Sequence, residues 1–182
     1  MSRELKRVAV FCGSNHGVDP AFTDVAVELG ALLAKRGIGL VYGGGDVGLM
    51  GEVADAVLAG GGTVTGVLPG LLWDKELGHQ GLTELLIVDT MHERKMAMAD
   101  RADAFIALPG GVGTFEELFE IWTWAQLGYH GKPVGVLDIA SFYGKLLTFL
   151  DHQAEEGFMR REHREMLIVE EDPERLIARY RS

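Results

Sequence analysis

Seven short, continuous apolar runs alternate with longer helix-period segments along the whole chain, and this alternation limits the possible folds more than any other feature. The runs are RVAVFCG (7–13), IGLVYGG (38–44), TVTGVLP (63–69), ELLIVD (84–89), AFIALPG (104–110), PVGVLD (133–138) and MLIVEE (166–171). Unbroken hydrophobicity over so few residues suits strands covered on both faces, as in a parallel sheet. Helical periodicity falls near 20–35, 47–59, 90–101, 114–127, 141–156 and 173–180. Asp19-Pro20 offers an N-cap with proline at the first helical position, and Gly37 closes that helix. Strand–helix alternation of this kind predicts an α/β fold, a doubly wound parallel sheet of about seven strands flanked by helices. The 182 residues fit one domain, 1–182, with no linker dividing it.

Composition narrows the function. The formal net charge of −10 gives no basic stripe for nucleic acid, although one small anion pocket remains compatible with it. Cys12 is the single cysteine, so no intrachain disulfide forms and a reducing compartment fits. The N-terminal apolar run is too short for a signal-peptide core, and no run reaches the roughly 20 residues that span a membrane. The expectation is a cytoplasmic protein without membrane association. Residues 69–83, PGLLWDKELGHQGLT, lack periodicity and form the best candidate for a functional loop.

The 25 glycines cluster at junctions, and two junctions echo each other. VYGGGDVGLMGE (41–52) and ALPGGVGTFEE (107–117) both run from a strand through glycines into a helix. Such turns let backbone N–H groups, those near Gly44 and Gly45 included, approach an anion at a helix N-terminus. Gly43, Gly45 and Gly48 satisfy a literal G-x-G-x-x-G, but no acidic residue ends the following run, and no Gly-Lys-Ser/Thr makes a P-loop. Thr114 and Glu117 have capping-box spacing, and Glu116 and Glu120 suit the helix dipole. Phe115, Leu118, Phe119 and Trp122 are spaced as a buried face. Thr90 and Glu93 form a second capping box, followed at once by Arg94 and Lys95. Two cations there oppose the dipole, and a phosphate or carboxylate facing them would remove the conflict. The alternative is a pair of solvated charges. His92-Glu93 lacks the second histidine of H-E-x-x-H, and His130, His152 and His163 are scattered, so no metal is expected. Cys12 reads as a small buried hydrophobe.

YGGGDVGLMG, MHERK and PGGVGTFEE with the nearby TWAQLG resemble the LONELY GUY family of cytokinin riboside 5′-monophosphate phosphoribohydrolases. These were long labelled lysine decarboxylases, and the likeness runs from VFCGS to GFMR near residue 160. The resemblance implies a Rossmann-like fold, a homodimer with sites at or near its interface, and hydrolysis of purine nucleoside 5′-monophosphates, AMP included, without a cofactor. By motif, Arg94 and Glu117 would be the catalytic pair. Lys95, Gly111, Val112, Gly113, Thr114, Phe115, Glu116, Glu76 and Thr123 would contact substrate, with Gly13 and Ser14 near the nucleotide. Trp122, Trp124 and Tyr129 are candidates to face a partner, or else core. Asn15 stands where a second serine is frequent, and VLDIASFYGK replaces a more usual Leu-Asn…Gly-Tyr-Tyr-Asp stretch, departures that bear on base preference. The competing readings are a non-catalytic nucleotide-binding module and a pyridoxal phosphate-dependent lysine decarboxylase.

Overall fold

A computed structural model describes residues 4–73 and 77–182. Each apolar run supplies a strand: β1 (Arg7–Phe11), β2 (Gly39–Tyr42), β3 (Val64–Pro69), β4 (Glu84–Val88), β5 (Ala104–Ala107), β6 (Val134–Leu137) and β7 (Leu167–Glu170). They form one sheet in the order β4-β3-β2-β1-β5-β6-β7, with every neighbouring pair parallel. The helices are α1 (Pro20–Lys35), α2 (Gly48–Ala59), α3 (Met91–Arg101), α4 (Val112–Gln126), α5 (Gly144–Glu155), α6 (Arg161–Glu165) and α7 (Pro173–Arg181). Among the described residues, no helix is long and apolar enough to cross a membrane.

The unbroken hydrophobicity of the strands follows from two apolar layers. Val8 and Val10 of β1 and Ile106 of β5 point into a layer with Leu29 of α1, Val53 of α2 and Leu176 of α7. Ala9, Phe11 and Phe105 point the opposite way, toward Met98 of α3, Leu118 and Trp122 of α4 and Leu150 of α5. Side chains alternate along a strand, so a strand covered on both faces is apolar at every position. Full burial of each large side chain contributes about 1.5–3 kcal/mol.

Local signals placed most helix starts. Asp19 Oδ1 accepts the Ala21 N–H at 2.9 Å, and Pro20 occupies the first turn of α1. At the other end, the Gly37 N–H donates to Ala34 O at 3.1 Å. Two helix starts differ from expectation by more than one residue: α4 begins two residues earlier, at Val112, and α5 begins at Gly144 instead of 141. The delay in α5 has a backbone cause. Ala140 and Ser141 hold φ of 51° and 55°, left-handed values that a helix cannot include. The turn survives because Asp138 Oδ1 accepts the Tyr143 N–H at 2.7 Å and the Tyr143 hydroxyl donates to Leu108 O at 2.6 Å. The first bond closes the turn on itself, and the second ties it to the end of β5. Ser141→Gly is therefore expected to stabilise the protein by on the order of 0.5 kcal/mol, relief of strain exceeding glycine's entropic cost. A urea midpoint that does not rise would show the serine unstrained.

The strand order sets the location of a site. From β1 the chain builds outward through β2, β3 and β4, then returns to the other side of β1 with β5. The winding direction reverses between β1 and β5, and a crevice opens outside their carboxyl ends.

Candidate active site

The Pro-Gly-Gly turn is pinned to the end of β1. The Leu108 N–H donates to Phe11 O at 2.9 Å, and the Gly13 N–H donates to Pro109 O at 3.0 Å. A Cβ on Gly110 would lie 2.9 Å from Gly13 N and collide with Thr114 Oγ1, so only glycine permits this approach. α4 follows with Gly111 as its N-cap and, among the described residues, no capping side chain. The expected Thr114–Glu117 capping box does not form. With the helix starting at Val112, Thr114 is the third helical residue and is buried, while Glu117 sits half-buried in the second turn. The first-turn N–H groups, which every helix leaves without intrahelical partners, are thus not taken by a cap.

α3 carries the cations. Thr90 Oγ1 accepts the Glu93 N–H at 3.1 Å as the capping box requires. Glu93 Oε2, however, accepts from Asp89 N at 2.8 Å, one residue before the cap. Arg94 is only 4% exposed. Its Nε donates to Val67 O at 3.1 Å and its Nη2 to Gly43 O at 2.8 Å, which anchors the guanidinium to β3 and to the turn after β2. It is not a solvated charge.

The protein's own carboxylates resolve the dipole conflict at Lys95. Its Nζ hydrogen-bonds Glu116 Oε1 at 2.6 Å and ion-pairs with Glu120 Oε2 at 2.8 Å. Burial alone would lower the ammonium pKa, but Glu116 and Glu120 outweigh it and the pKa is raised. Glu116 and Glu120 therefore serve as partners of α3 more than as dipole ligands. Lys95 joins the helix that carries Arg94 to the helix that carries Glu117. Lys95→Gln is expected to lower kcat at least about tenfold with a smaller change in KM, because the two helices lose their common clamp. A loss confined to KM would instead make Lys95 a direct substrate contact.

A pocket of about 280 Å³ lies at the switch point. Gly13 and Ser14 after β1, Gly43 after β2, Arg94 and Met91 of α3, and Gly111, Val112, Gly113, Thr114, Glu116 and Glu117 at the start of α4 line it. The glycines there can present only backbone. Cys12 lines it too, but burial first and the Glu117 charge second push its thiol pKa well above the usual range, so it carries no thiolate nucleophile.

Most sequence candidates converge here, and several do not. Gly44 and Gly45 lie just beyond the lining, their carbonyls accepting from His79 N at 2.9 Å and the Tyr42 hydroxyl at 2.8 Å. Lys95 stands behind the lining in its ion pairs. Phe115 turns away and packs on Tyr143 with ring centroids 5.8 Å apart. Thr123 lines a separate groove with Gln126, Phe158 and Arg160. Glu76 lies outside the described residues. Sequence reasoning passed over Met50 and Met91, since nothing local marks two helix-start methionines as meeting at one pocket.

A doubly wound parallel sheet with glycine turns and an uncapped helix N-terminus at its switch point is an α/β fold of the Rossmann-like class. Within that class the chain belongs to the LONELY GUY family. Residues 50–180 match the family described as "possible lysine decarboxylase". The chain is 50% identical over 175 residues to the probable cytokinin riboside 5′-monophosphate phosphoribohydrolase LOGL2 of Oryza sativa subsp. japonica, covering 96% of this chain and 72% of that protein. It is 49% identical over 173 residues to the cytokinin riboside 5′-monophosphate phosphoribohydrolase LOG7 of Arabidopsis thaliana, covering 95% and 80%. Among solved structures, the Moco carrier protein from Chlamydomonas reinhardtii superposes with a TM-score of 0.69 at 24% identity, over 97% of this chain and 95% of that one. The molybdenum cofactor binding protein from Rippkaea orientalis does so at 0.69 and 20% identity, over 97% and 96%. These two likenesses establish the fold alone.

Proposed function

We propose that the protein hydrolyses the N-glycosidic bond of purine riboside 5′-monophosphates, cytokinin nucleotides and AMP among them, releasing free base and ribose 5-phosphate. The observation that carries this reading is the convergence of Arg94, Glu117 and the uncapped N-terminus of α4 on one pocket. It occurs in a chain half identical to enzymes of that name. The 5′-phosphate would sit against the backbone N–H groups from Gly111 to Gly113, where a helix N-terminus favours negative charge. That pose brings the ribose beside Glu117. Cleavage passes through an oxocarbenium-like ribose, which a carboxylate stabilises while it positions water. Arg94, held by two carbonyls, offers a fixed positive charge to the ribose phosphate or the departing base.

Lys95 argues against a pyridoxal phosphate-dependent decarboxylase. A Schiff-base lysine needs a free amine, and Lys95 is a charged ammonium between two carboxylates. The remaining competitor is a nucleotide-binding module, and turnover separates the two. The purified protein, incubated with AMP and with isopentenyladenosine monophosphate, should release base and ribose 5-phosphate in equal amounts. Nucleotide binding without base release would leave the binding module.

The reading extends to a cytoplasmic homodimer acting through the whole chain as one unit. Exposed Met96 and Tyr129 and half-buried Trp124 surround one apolar depression and support a partner there. Trp122 is core instead, 2% exposed, with its indole N–H donating to His163 O at 3.0 Å. Light scattering on the eluting protein tests the dimer directly.

A further inference from the structure

The turn after β2 presents three consecutive glycine carbonyls, each with a donor from a different source. Gly43 O takes Arg94 Nη2 at 2.8 Å, Gly44 O takes the His79 N–H at 2.9 Å, and Gly45 O takes the Tyr42 hydroxyl at 2.8 Å. The Asp46 N–H adds a bond to Leu77 O at 3.0 Å, and Gly45 pairs with Gly78 as an isolated antiparallel bridge. Residues 77–79 thus lie as a strap against the turn that receives Arg94.

The side chain of His79 fixes that strap. It is 8% exposed, and its Nδ1 accepts the Gly81 N–H at 2.9 Å. An accepting Nδ1 places the ring hydrogen of the neutral form on Nε2, which donates to Asp55 Oδ1 of α2 at 2.9 Å, with Asp46 Oδ1 at 3.6 Å. Asp46, Asp55 and His79 bring their ligand atoms within 4.8 Å of one another, as a metal site would. The two ring nitrogens are, however, both engaged in protein hydrogen bonds. The imidazole is a structural crosslink between loop, turn and helix.

We infer that His79 is a positioning residue for Arg94, an inference that rests on the role given to Arg94 above. The peptide carrying Gly43 O and the peptide carrying Gly44 O share the Gly44 Cα. Gly44 holds φ of 81°, and glycine resists rotation there only weakly. The strap that grips Gly44 O therefore also keeps Gly43 O turned toward the guanidinium. Without the imidazole, the strap loses its bond to α2 and its own internal turn. Arg94 then loses a fixed acceptor at the pocket wall.

A mutant cycle tests this. His79→Ala is made in the wild-type background and in Arg94→Lys, and kcat, KM and AMP affinity are measured for all four proteins. The expected result is a roughly tenfold loss of kcat from His79→Ala in the wild type and less than about twofold in Arg94→Lys. His79→Gln, whose amide can still donate to Asp55, should recover part of the rate. Equal factors in the two backgrounds, or wild-type kinetics in His79→Ala, would overturn the inference. If His79→Ala does not fold, the same cycle is run with Asp55→Ala, which removes the other end of the crosslink from an exposed position. The Arg94 Nε–H resonance provides a readout that needs no turnover. It should shift or broaden in His79→Ala, and an unchanged resonance also overturns the proposal. Should the wild type release no base, the proposed function fails separately, while this resonance still decides the role of His79.

Discussion

Glu117→Gln is expected to lower turnover of AMP at least about a hundredfold while its dissociation constant changes less than about threefold. The substitution preserves size and hydrogen-bonding reach but removes the negative charge. A side chain that takes part in proton transfer or attack contributes about 10²–10⁴ in rate, and stabilising a cationic ribose needs the carboxylate form. Binding should survive because the phosphate is assigned to the backbone N–H groups at the start of α4, which the change does not touch. The displaced helix start sharpens the experiment. A capping glutamate replaced by glutamine would retain its cap and cost little, whereas Glu117 sits in the second turn, beyond any capping position. Single-turnover base release and equilibrium AMP binding on the same preparation separate the outcomes. Full activity in Glu117→Gln would remove this carboxylate from the mechanism.

Arg94→Ala should damage both stability and rate. Arg94 is buried and supplies donors to two main-chain carbonyls, Val67 O and Gly43 O. Truncation leaves two buried acceptors without these donors, at about 1–3 kcal/mol each, and opens a gap beneath the pocket. The expected loss is about 2–4 kcal/mol by urea titration, together with at least about a hundredfold in kcat/KM. Arg94→Lys should fold better and still lose most activity, since one ammonium cannot reproduce a planar fork spanning two carbonyls. If Arg94→Ala kept wild-type stability, the two carbonyl bonds would contribute nothing net to folding. If Arg94→Lys kept full rate, a point charge would suffice for catalysis.

The motifs of the site were legible because they are local. MHERK and PGGVGT each lie within one strand-to-helix junction, and Gly13-Ser14 follows β1 directly. All three do line the pocket. The misreadings concern partners distant in sequence. Thr114-x-x-Glu117 has capping-box spacing, but the pinning of Pro109 to Gly13 starts the helix two residues earlier and buries the threonine. Arg94 and Lys95 left a choice between a bound anion and solvent. Their partners are Val67 and Gly43 for the first, and Glu116 and Glu120 for the second. Trp122 was legible as part of a buried face from its helical spacing with Phe115, Leu118 and Phe119, and it is buried; only the fold shows that His163 O, contributed by α6, accepts its indole N–H.

By itself the amino-acid sequence determined the seven strands, six of the helices, the caps at Asp19 and Thr90 and the glycine junctions. Apolar period, capping chemistry and glycine's conformational range act over fewer than ten residues. Tertiary structure alone decided that the junctions after β1, β2 and β5 meet at one crevice, that Arg94 is buried beneath it, and that Lys95 and His79 act as crosslinks. Those outcomes depend on strand order, which brings residues 13, 43, 94 and 117 together across separations that no local interaction spans.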